Sequence, residues 1–206
     1  QVDIALHSVD MSNWQVAGSP YNQWELSNNN NTVVQKINGG PTFFLSQGDY
    51  INTKISGSIS VADAWDDDFI GFVFGYNETQ NNTNSEMLLF SWKMRDQYIG
   101  GGMAREGLSL IDINNFNSAQ NDLWRHDTST NDKTVLDSEI GTDTGWNAGQ
   151  DYMFELSYTQ TNVTIIIDGQ EVFNIDGNFN PGQFGYYNNS QHGVTYSNVM
   201  RQAIAP

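Results

Sequence analysis

The stretch from Asp66 to Tyr76 constrains the fold of this chain more than any other segment. Three adjacent aspartates run directly into eight residues that are almost all apolar, Phe69 to Tyr76. This run is too short for a buried helix and contains two glycines, whereas its aromatic and β-branched residues favour a strand. Because no polar residue interrupts the run, both faces of that strand are expected to be buried. The pattern therefore predicts a central β-strand with three carboxylates at one end.

These three carboxylates, Asp66, Asp67 and Asp68, repel one another. Solvation, protonation or a hard cation with oxygen ligands can relieve the repulsion, and an ordinary acidic loop needs only water. Here the following strand fixes where the carboxylates lie, and the chain carries a formal net charge of −16. We therefore predict a bound Ca²⁺, with Asp66, Asp67 and Asp68 as its metal ligands.

Alternating apolar and polar residues mark further strands along the chain. The segment from Ile51 to Val61 alternates in this way, as does the segment from Tyr152 to Tyr158, and each is typical of a half-buried antiparallel strand. The dipeptide Asp168-Gly169 between two apolar runs predicts a two-residue hairpin. From Gly100 to Arg125 the pattern weakens, which predicts an irregular functional segment that contains a short strand at Leu108 to Ile113 and a short helix around Ser118 to Trp124. Many short strands without helical periodicity predict one antiparallel β-sandwich, a single domain over residues 1–206.

Composition excludes several classes of function. With 24 acidic and 8 basic residues, the chain is expected to repel nucleic acid and anionic membrane surfaces. No apolar run has the length needed to span a bilayer, so membrane insertion is not expected. The chain has no cysteine, which excludes disulfides, thiol catalysis and thiolate metal sites. The three histidines lack zinc-ligand spacing.

Catalytic patterns are also missing from the sequence. There is no Gly-x-Ser-x-Gly motif, no phosphate-cradling loop, and no strand with the spaced carboxylates that glycoside hydrolases use. The acids are contiguous in a turn instead. We therefore predict that the chain is not an enzyme.

A carbohydrate site needs planar hydrogen-bonding groups for sugar hydroxyls and an aromatic face for the apolar side of the ring. Asp68 would supply the first, together with the loop from Asn188 to His192, which we predict to be exposed between the last two strands. Trp92 and Trp146 lie beside predicted strands and are expected to pack in the core. The predicted ligand-binding residues are Asp68, Tyr98, Trp124, His126, Tyr187, Asn188, Asn189 and Gln191.

The segment from Asp66 to Tyr76 resembles the lectin-like C-terminal domain of thrombospondins, in which an Asp-rich turn leads into a Gly-Phe-Val-Phe-Gly-Tyr strand. The resemblance continues in order over nearly the whole chain, at Ser91-Trp92-Lys93, Leu123-Trp124 with His126, Thr144-Gly145-Trp146, Gly182-Gln183-Phe184-Gly185 and Tyr196-Ser197-Asn198. It implies a concanavalin A-like (L-type lectin-like) jelly roll, calcium binding and extracellular adhesion. The lack of cysteine departs from the animal pattern and indicates a bacterial relative in a secreted adhesin.

Legume lectins, which are similar to this family, add an expectation for individual residues. In them an aspartate just before the phenylalanine-rich strand accepts hydrogen bonds from sugar hydroxyls, and Asp67 or Asp68 matches that place. Their calcium and manganese ligands follow a Glu-x-Asp pattern on the next strand, where this chain has Phe90-Ser91-Trp92-Lys93. The resemblance therefore implies that calcium uses Asp66, Asp67 and Asp68 with oxygens from neighbouring loops, without a two-metal site.

The leading hypothesis is a calcium-dependent carbohydrate-binding module of a secreted cell-surface adhesin that attaches to extracellular or cell-surface glycans, as in a biofilm. The alternative is an adhesion module that binds surface proteins or peptides and uses calcium only structurally. Competition by simple sugars separates the two. A glycosidase is a third alternative, and it would require a specific pair of catalytic carboxylates.

Overall fold

The structure, a computed structural model, describes residues 5–79, 84–118 and 122–206. These residues form two large antiparallel sheets and a small hairpin. Within the same ranges no helix is long and apolar enough to cross a bilayer. The predicted antiparallel β-sandwich is confirmed.

One sheet has eight strands. In spatial order they are β15 (Gln170–Asp176), β14 (Asn162–Ile167), β13 (Asp151–Tyr158), β6 (Thr53–Val61), β17 (Val194–Ala203), β4 (Thr32–Gln35) and β3 (Trp24–Ser27), with β1 (His7–Ser8) paired to β17. The predicted turn at Asp168-Gly169 joins β14 to β15, and both of its residues have positive φ angles, 49° and 78°. Alternation along β6 and β13 points every second side chain into the core, as predicted.

The other sheet has seven strands and carries the central strand. In spatial order they are β12 (Lys133–Ile140), β11 (Gly107–Phe116), β8 (Ser85–Lys93), β7 (Phe69–Glu78), β16 (Gly182–Asn189), β5 (Thr42–Tyr50) and β2 (Gln15–Gly18). A separate hairpin pairs β9 (Gln97–Ile99) with β10 (Gly102–Ala104). The predicted strand is β7, and it lies in the middle of its sheet.

Side chains of β7 are buried on both faces, as the sequence predicted. On the inner face Phe72 stacks on Phe90 at 4.7 Å between ring centroids and meets Phe154 of the opposite sheet at 4.9 Å. On the outer face Phe69 and Val73 belong to a second apolar cluster. The unbroken apolar run from Phe69 to Tyr76 follows from these two layers.

The outer face is covered by residues 122–132, which lie between β11 and β12 and which we call the covering segment. Phe116 and Leu123 are buried in the second apolar cluster, so the chain folds over the sheet instead of leaving it open. Lys133 at the start of β12 is buried below them and donates hydrogen bonds to the backbone carbonyls of Asp122 (2.7 Å) and Arg125 (2.6 Å). A buried ammonium thus holds this covering segment on the sheet.

The strand predicted at Leu108 to Ile113 is confirmed, whereas the described residues 122–124 of the predicted short helix are not helical. The segment from Gly100 to Arg125 is otherwise more regular than predicted. Strand β10 and the ten-residue strand β11 occupy it, although residues 119–121 lie outside the described ranges. Strand β12 gave no sequence signal, because it is an edge strand with few buried side chains. Trp92 and Trp146 are buried, which confirms their predicted role in the core.

Candidate functional site

Asp66, Asp67 and Asp68, which we call the carboxylate turn, lead directly into β7 at one end of the sandwich. Buried side chains from two other loops fix the backbone of this turn. The backbone N–H of Asp68 donates to Gln191 Oε1 at 2.8 Å, and its carbonyl accepts from Trp146 Nε1 at 2.9 Å. One carboxylate oxygen from each of the three aspartates lies within 4.8 Å of the others. The close grouping predicted from the sequence is present.

The cation nearest to these carboxylates is the ammonium group of Lys93, at the end of β8. Its Nζ lies 3.0 Å from Asp67 Oδ1 and 2.9 Å from Asp68 Oδ1. Arg95 Nε lies 3.3 Å from the other oxygen of Asp67. Two of the three carboxylates are therefore already paired with basic side chains of the chain itself.

Asp66 lies on the solvent side of the turn. Its carboxylate accepts a hydrogen bond from the amide of Asn38, and its Oδ2 lies 3.6 Å from His192 Nδ1. The other ring nitrogen of His192 is 3.8 Å from Asp63 Oδ1. Asp63 and Asp66 thus approach the same imidazole from its two sides.

A divalent ion fits this arrangement only in part. Calcium takes six to eight oxygen ligands, and a position shared by all three aspartates would require Lys93 to leave. The solvent side offers carboxylates of Asp63 and Asp66 and the amide group of Asn38. If Ca²⁺ binds, Asp66 is the member of the predicted set that fits it. Asp67 and Asp68, the other two predicted ligands, are paired with Lys93 and could reach an ion only if that ammonium moved away.

Burial raises the pKa of the Asp68 carboxyl to about 6, Lys93 opposes that rise, and Asp66 adds to it. Asp68 Oδ1 has no aligned hydrogen-bond donor among the described residues, although the Lys93 ammonium is close. Asp68 is 4% exposed. Sugar hydroxyls, which the sequence predicted to contact Asp68, could reach this carboxylate only if the turn opened.

Exposed aromatic side chains flank the carboxylate turn. Trp65, next to Asp66, is 90% exposed, and Tyr98 is 67% exposed. Tyr98 is at this end because the preceding residue, Gln97, accepts a hydrogen bond from Lys93 Nζ at 3.1 Å. Ile99 and Met103 on the same hairpin are also exposed. The apolar residues at this end form a discontinuous rim around a polar centre.

Sequence reasoning identified Tyr98 but missed Trp65. A usable signal was present, because Trp65 stands between Ala64 and three aspartates, outside any predicted strand. Tryptophan is highly buried on average, so an almost fully exposed one beside a polar cluster indicates a contact surface.

The loop from Asn188 to His192 is not the exposed loop that we predicted. Asn188 and Gln191 are 0% and 1% exposed, and Asn189 is also buried. Asn188 Oδ1 accepts a hydrogen bond from the Tyr196 hydroxyl at 2.8 Å, and Gln191 holds the backbone of the carboxylate turn. Their polar groups are used inside the protein, so a direct contact with a ligand would require these internal hydrogen bonds to break.

Tyr187 and His126, which the sequence predicted as ligand contacts, are likewise buried. Tyr187 stacks on Phe43 at 5.6 Å below the covering segment. The ring of His126 lies 3.1 Å from Ser91 Oγ and 2.8 Å from the Arg105 carbonyl. Burial lowers the pKa of His126 to about 4, so the ring is neutral at physiological pH.

Trp124 is half-buried and packs edge to face against Phe69 at 5.4 Å. Its ring centroid lies 5.3 Å from Lys93 Nζ, and its indole N–H has no partner among the described residues. Trp124 therefore belongs to the wall around Lys93. Tyr98 is the predicted ligand-binding residue with a widely exposed side chain.

Comparison with known proteins gives one family match and several structural matches. The model of the thrombospondin C-terminal region matches residues 19–204. Thrombospondin-3b of Danio rerio is 24% identical over 195 residues, which cover 85% of this chain and 20% of the relative. The chain thus spans about a fifth of the length of that relative.

The solved structures with the same fold include both a binding module and an enzyme. A carbohydrate-binding module from Bacillus subtilis superposes with a TM-score of 0.62 at 13% identity, over 93% of this chain and 96% of the module. A family 16 endo-glucanase from Bacteroides ovatus gives a TM-score of 0.52 at 10% identity, over 95% of this chain and 98% of the enzyme. These likenesses show the lectin-like jelly-roll fold and nothing finer. Because the family model covers nearly all of the sandwich, the chain belongs to the thrombospondin C-terminal family.

Proposed function

We propose that this chain is a non-catalytic, calcium-dependent carbohydrate-binding domain of a secreted cell-surface adhesin. The observation that carries the proposal is the 90% exposed ring of Trp65 directly beside the carboxylate turn. The glycan binds at this end of the sandwich, between Trp65 and Tyr98. The family and the carbohydrate-binding module of the same fold support a binding role.

The chemistry of this end suits a sugar. A pyranose ring has one apolar face, which packs against an aromatic ring, and equatorial hydroxyls, which need planar polar partners. Trp65 offers the ring, whereas Asp63, Asp66 and Asn38 offer carboxylate and amide groups at the solvent side of the turn. Side chains with both properties therefore occur together at this end.

Calcium is proposed on the solvent side of Asp66. Asp63 and Asp66 would hold the ion there. Asn38 would add its amide oxygen after the amide group turns over, because its NH₂ now donates to Asp66. When bound, the ion supplies open positions that vicinal sugar hydroxyls can occupy. The net charge of −16 attracts the cation and disfavours sulfated or otherwise anionic glycans. The proposed ligand class is therefore a neutral glycan.

A glycan array probed with the purified chain, in excess calcium and again after chelation, tests this proposal. Binding to neutral glycans that is lost in the chelator supports it. No binding to any glycan, or turnover of a bound polysaccharide, contradicts it.

Replacing Trp65 with alanine is expected to weaken glycan binding about tenfold, since an aromatic contact contributes about 1 kcal/mol beyond its buried area. The melting temperature should stay unchanged, because the ring is almost fully exposed. Titration calorimetry with the strongest array ligand measures the effect. Met153→Ala is the matched control, because Met153 is 51% exposed on the eight-stranded sheet. If the two variants bind the glycan with equal affinity, Trp65 does not contact it.

A second candidate function, binding of a protein segment, is favoured by a cleft at the edge of the sandwich. The cleft has a volume of about 500 Å³ and a floor that includes Trp92 and Tyr152, whose rings are 4.6 Å apart. Its rim carries four carboxylates, Glu139, Asp143, Asp168 and Glu171. No described residue that lines it is basic, so a lysine- or arginine-rich segment would be complementary. Binding to a cell surface that simple sugars do not displace would favour this function.

A further inference from the structure

We propose that the ammonium group of Lys93 is the resident cation of the carboxylate turn. It neutralises Asp67 and Asp68 from inside the fold, so this end of the sandwich keeps its shape without a metal ion. The inference concerns the inner side of the turn and does not depend on the proposed glycan site at its solvent side. If calcium binds this end of the sandwich, its role is then to help bind a ligand and not to hold the fold together.

Burial of Lys93 is complete. Its side chain is 0% exposed, whereas lysine is almost never fully buried unless it is paired. Strand register places it there, because Lys93 in β8 is the direct partner of Phe69, the first residue of β7. The carboxylate turn immediately precedes Phe69. The same pairing that builds the central sheet therefore delivers an ammonium to the carboxylates.

Four oxygen atoms surround Lys93 Nζ. Three hydrogen bonds use the three ammonium donors: to the Asp67 carbonyl at 2.7 Å, to Asp67 Oδ1 at 3.0 Å and to Gln97 Oε1 at 3.1 Å. The ion pair with Asp68 Oδ1 at 2.9 Å completes the set. Carbonyl, carboxylate and amide oxygens are also the ligands of a calcium site. Here they lie at distances from Nζ that are typical of hydrogen bonds from an ammonium and longer than calcium–oxygen distances.

Aromatic rings close the inner side of this pocket. Lys93 Nζ lies 5.7 Å from the centroid of Phe69 and 5.3 Å from that of Trp124, positions in which a ring face attracts a cation. On the other side Arg95 pairs with the outer oxygen of Asp67. A metal ion that bound Asp67 and Asp68 would have to push a buried ammonium against these rings.

Thermal unfolding in excess chelator and in excess calcium is the first test. The wild-type chain is expected to melt in one cooperative transition in both conditions. Its melting temperature in the chelator should lie no more than about 5 °C below that in calcium, because an ion bound only at the solvent side adds no more than its own binding free energy. A melting temperature that falls by about 10 °C on chelation would overturn the inference, since it would show a structural metal.

Lys93→Met removes the charge and keeps the length of the side chain. The variant is expected to melt about 10 °C below the wild type, because the buried carboxylate of Asp68 loses the ammonium with which it pairs and Asp67 is left with Arg95. Lys54→Met is the matched control, since Lys54 pairs with Glu155 at 3.2 Å at a partly exposed position. If both variants melt at the same temperature, Lys93 is not the cation that holds the turn.

The double variant Lys93→Met/Asp68→Asn keeps the inference testable if the single variant does not fold. Removing the carboxylate charge together with the ammonium is expected to restore a large part of the lost melting temperature. Independent, additive effects of the two substitutions would contradict the inference.

Nitrogen-15 NMR of lysine ammonium groups gives a direct readout in the wild type. A buried, hydrogen-bonded Lys93 should give a slowly exchanging signal that is absent from the double variant and unchanged when calcium is added. Loss of this signal on calcium addition would show that a metal displaces Lys93. A chain that binds no glycan would refute the proposed function but would leave these four expected results unchanged.

Discussion

Alanine in place of Gly71 is expected to prevent the native fold from forming. A Cβ atom at this position would lie 1.9 Å from the backbone carbonyl oxygen of Phe90 in the neighbouring strand, and Gly71 has a φ of +154°. A backbone atom in the middle of a sheet cannot move aside as a flexible side chain can. The substitution should therefore cost more than about 4 kcal/mol, a size reserved for changes of this kind.

Gly48→Ala is the matched control for this prediction. Gly48 is also in the seven-stranded sheet, but nothing lies within 4 Å of the Cβ that alanine would add. The free energy of unfolding of this variant should stay within about 0.5 kcal/mol of the wild-type value, as for most open positions. Soluble yield and urea unfolding compare the variants. A Gly71→Ala protein that folds with a wild-type midpoint would show that β7 does not run against β8 as described.

Acid is expected to destabilise the protein through His126, with the second-largest effect. Burial lowers the pKa of this imidazole to about 4 in the folded chain. In the unfolded chain the value is about 6.5. Between these two values the unfolded state binds a proton that the folded state does not. Stability from this group is therefore complete above about pH 6.5 and falls by about 3 kcal/mol as the pH drops to 4.

His126→Gln isolates this effect, because glutamine can still donate to the Arg105 carbonyl but does not titrate. The difference in unfolding free energy between wild type and variant should narrow by about 3 kcal/mol from pH 7 to pH 4. Asp68, whose raised pKa has the opposite influence on stability, is present in both proteins and cancels. A constant difference across this range would mean that His126 is accessible to protons in the folded state.

The central strand could be predicted from sequence because its cause is local. Burial on two faces requires apolar residues at consecutive positions, and Phe69 to Tyr76 meets that requirement without reference to the rest of the chain. The Asp168-Gly169 hairpin was predictable for a similar reason, since two adjacent positive φ angles select a narrow set of residues.

The site was less predictable because its polar residues are satisfied at long range. The loop from Asn188 to Gln191 looks exposed by composition, yet its amides bond to Tyr196 and to the carboxylate turn. Lys93 lies 26 positions from Asp67 in sequence, and strand register alone brings the two together. Neither propensity nor local charge pattern reports such a pairing.

Chemical-shift mapping of a neutral glycan onto the nitrogen-15-labelled chain tests the central claim most directly, namely that the end of the sandwich at Trp65 binds sugar. The largest shifts are expected at the indole N–H of Trp65, at Tyr98 and at Asp66, and they should require calcium. Shifts concentrated at the cleft of Trp92 and Tyr152, or no shifts with any glycan that cells display, would contradict it.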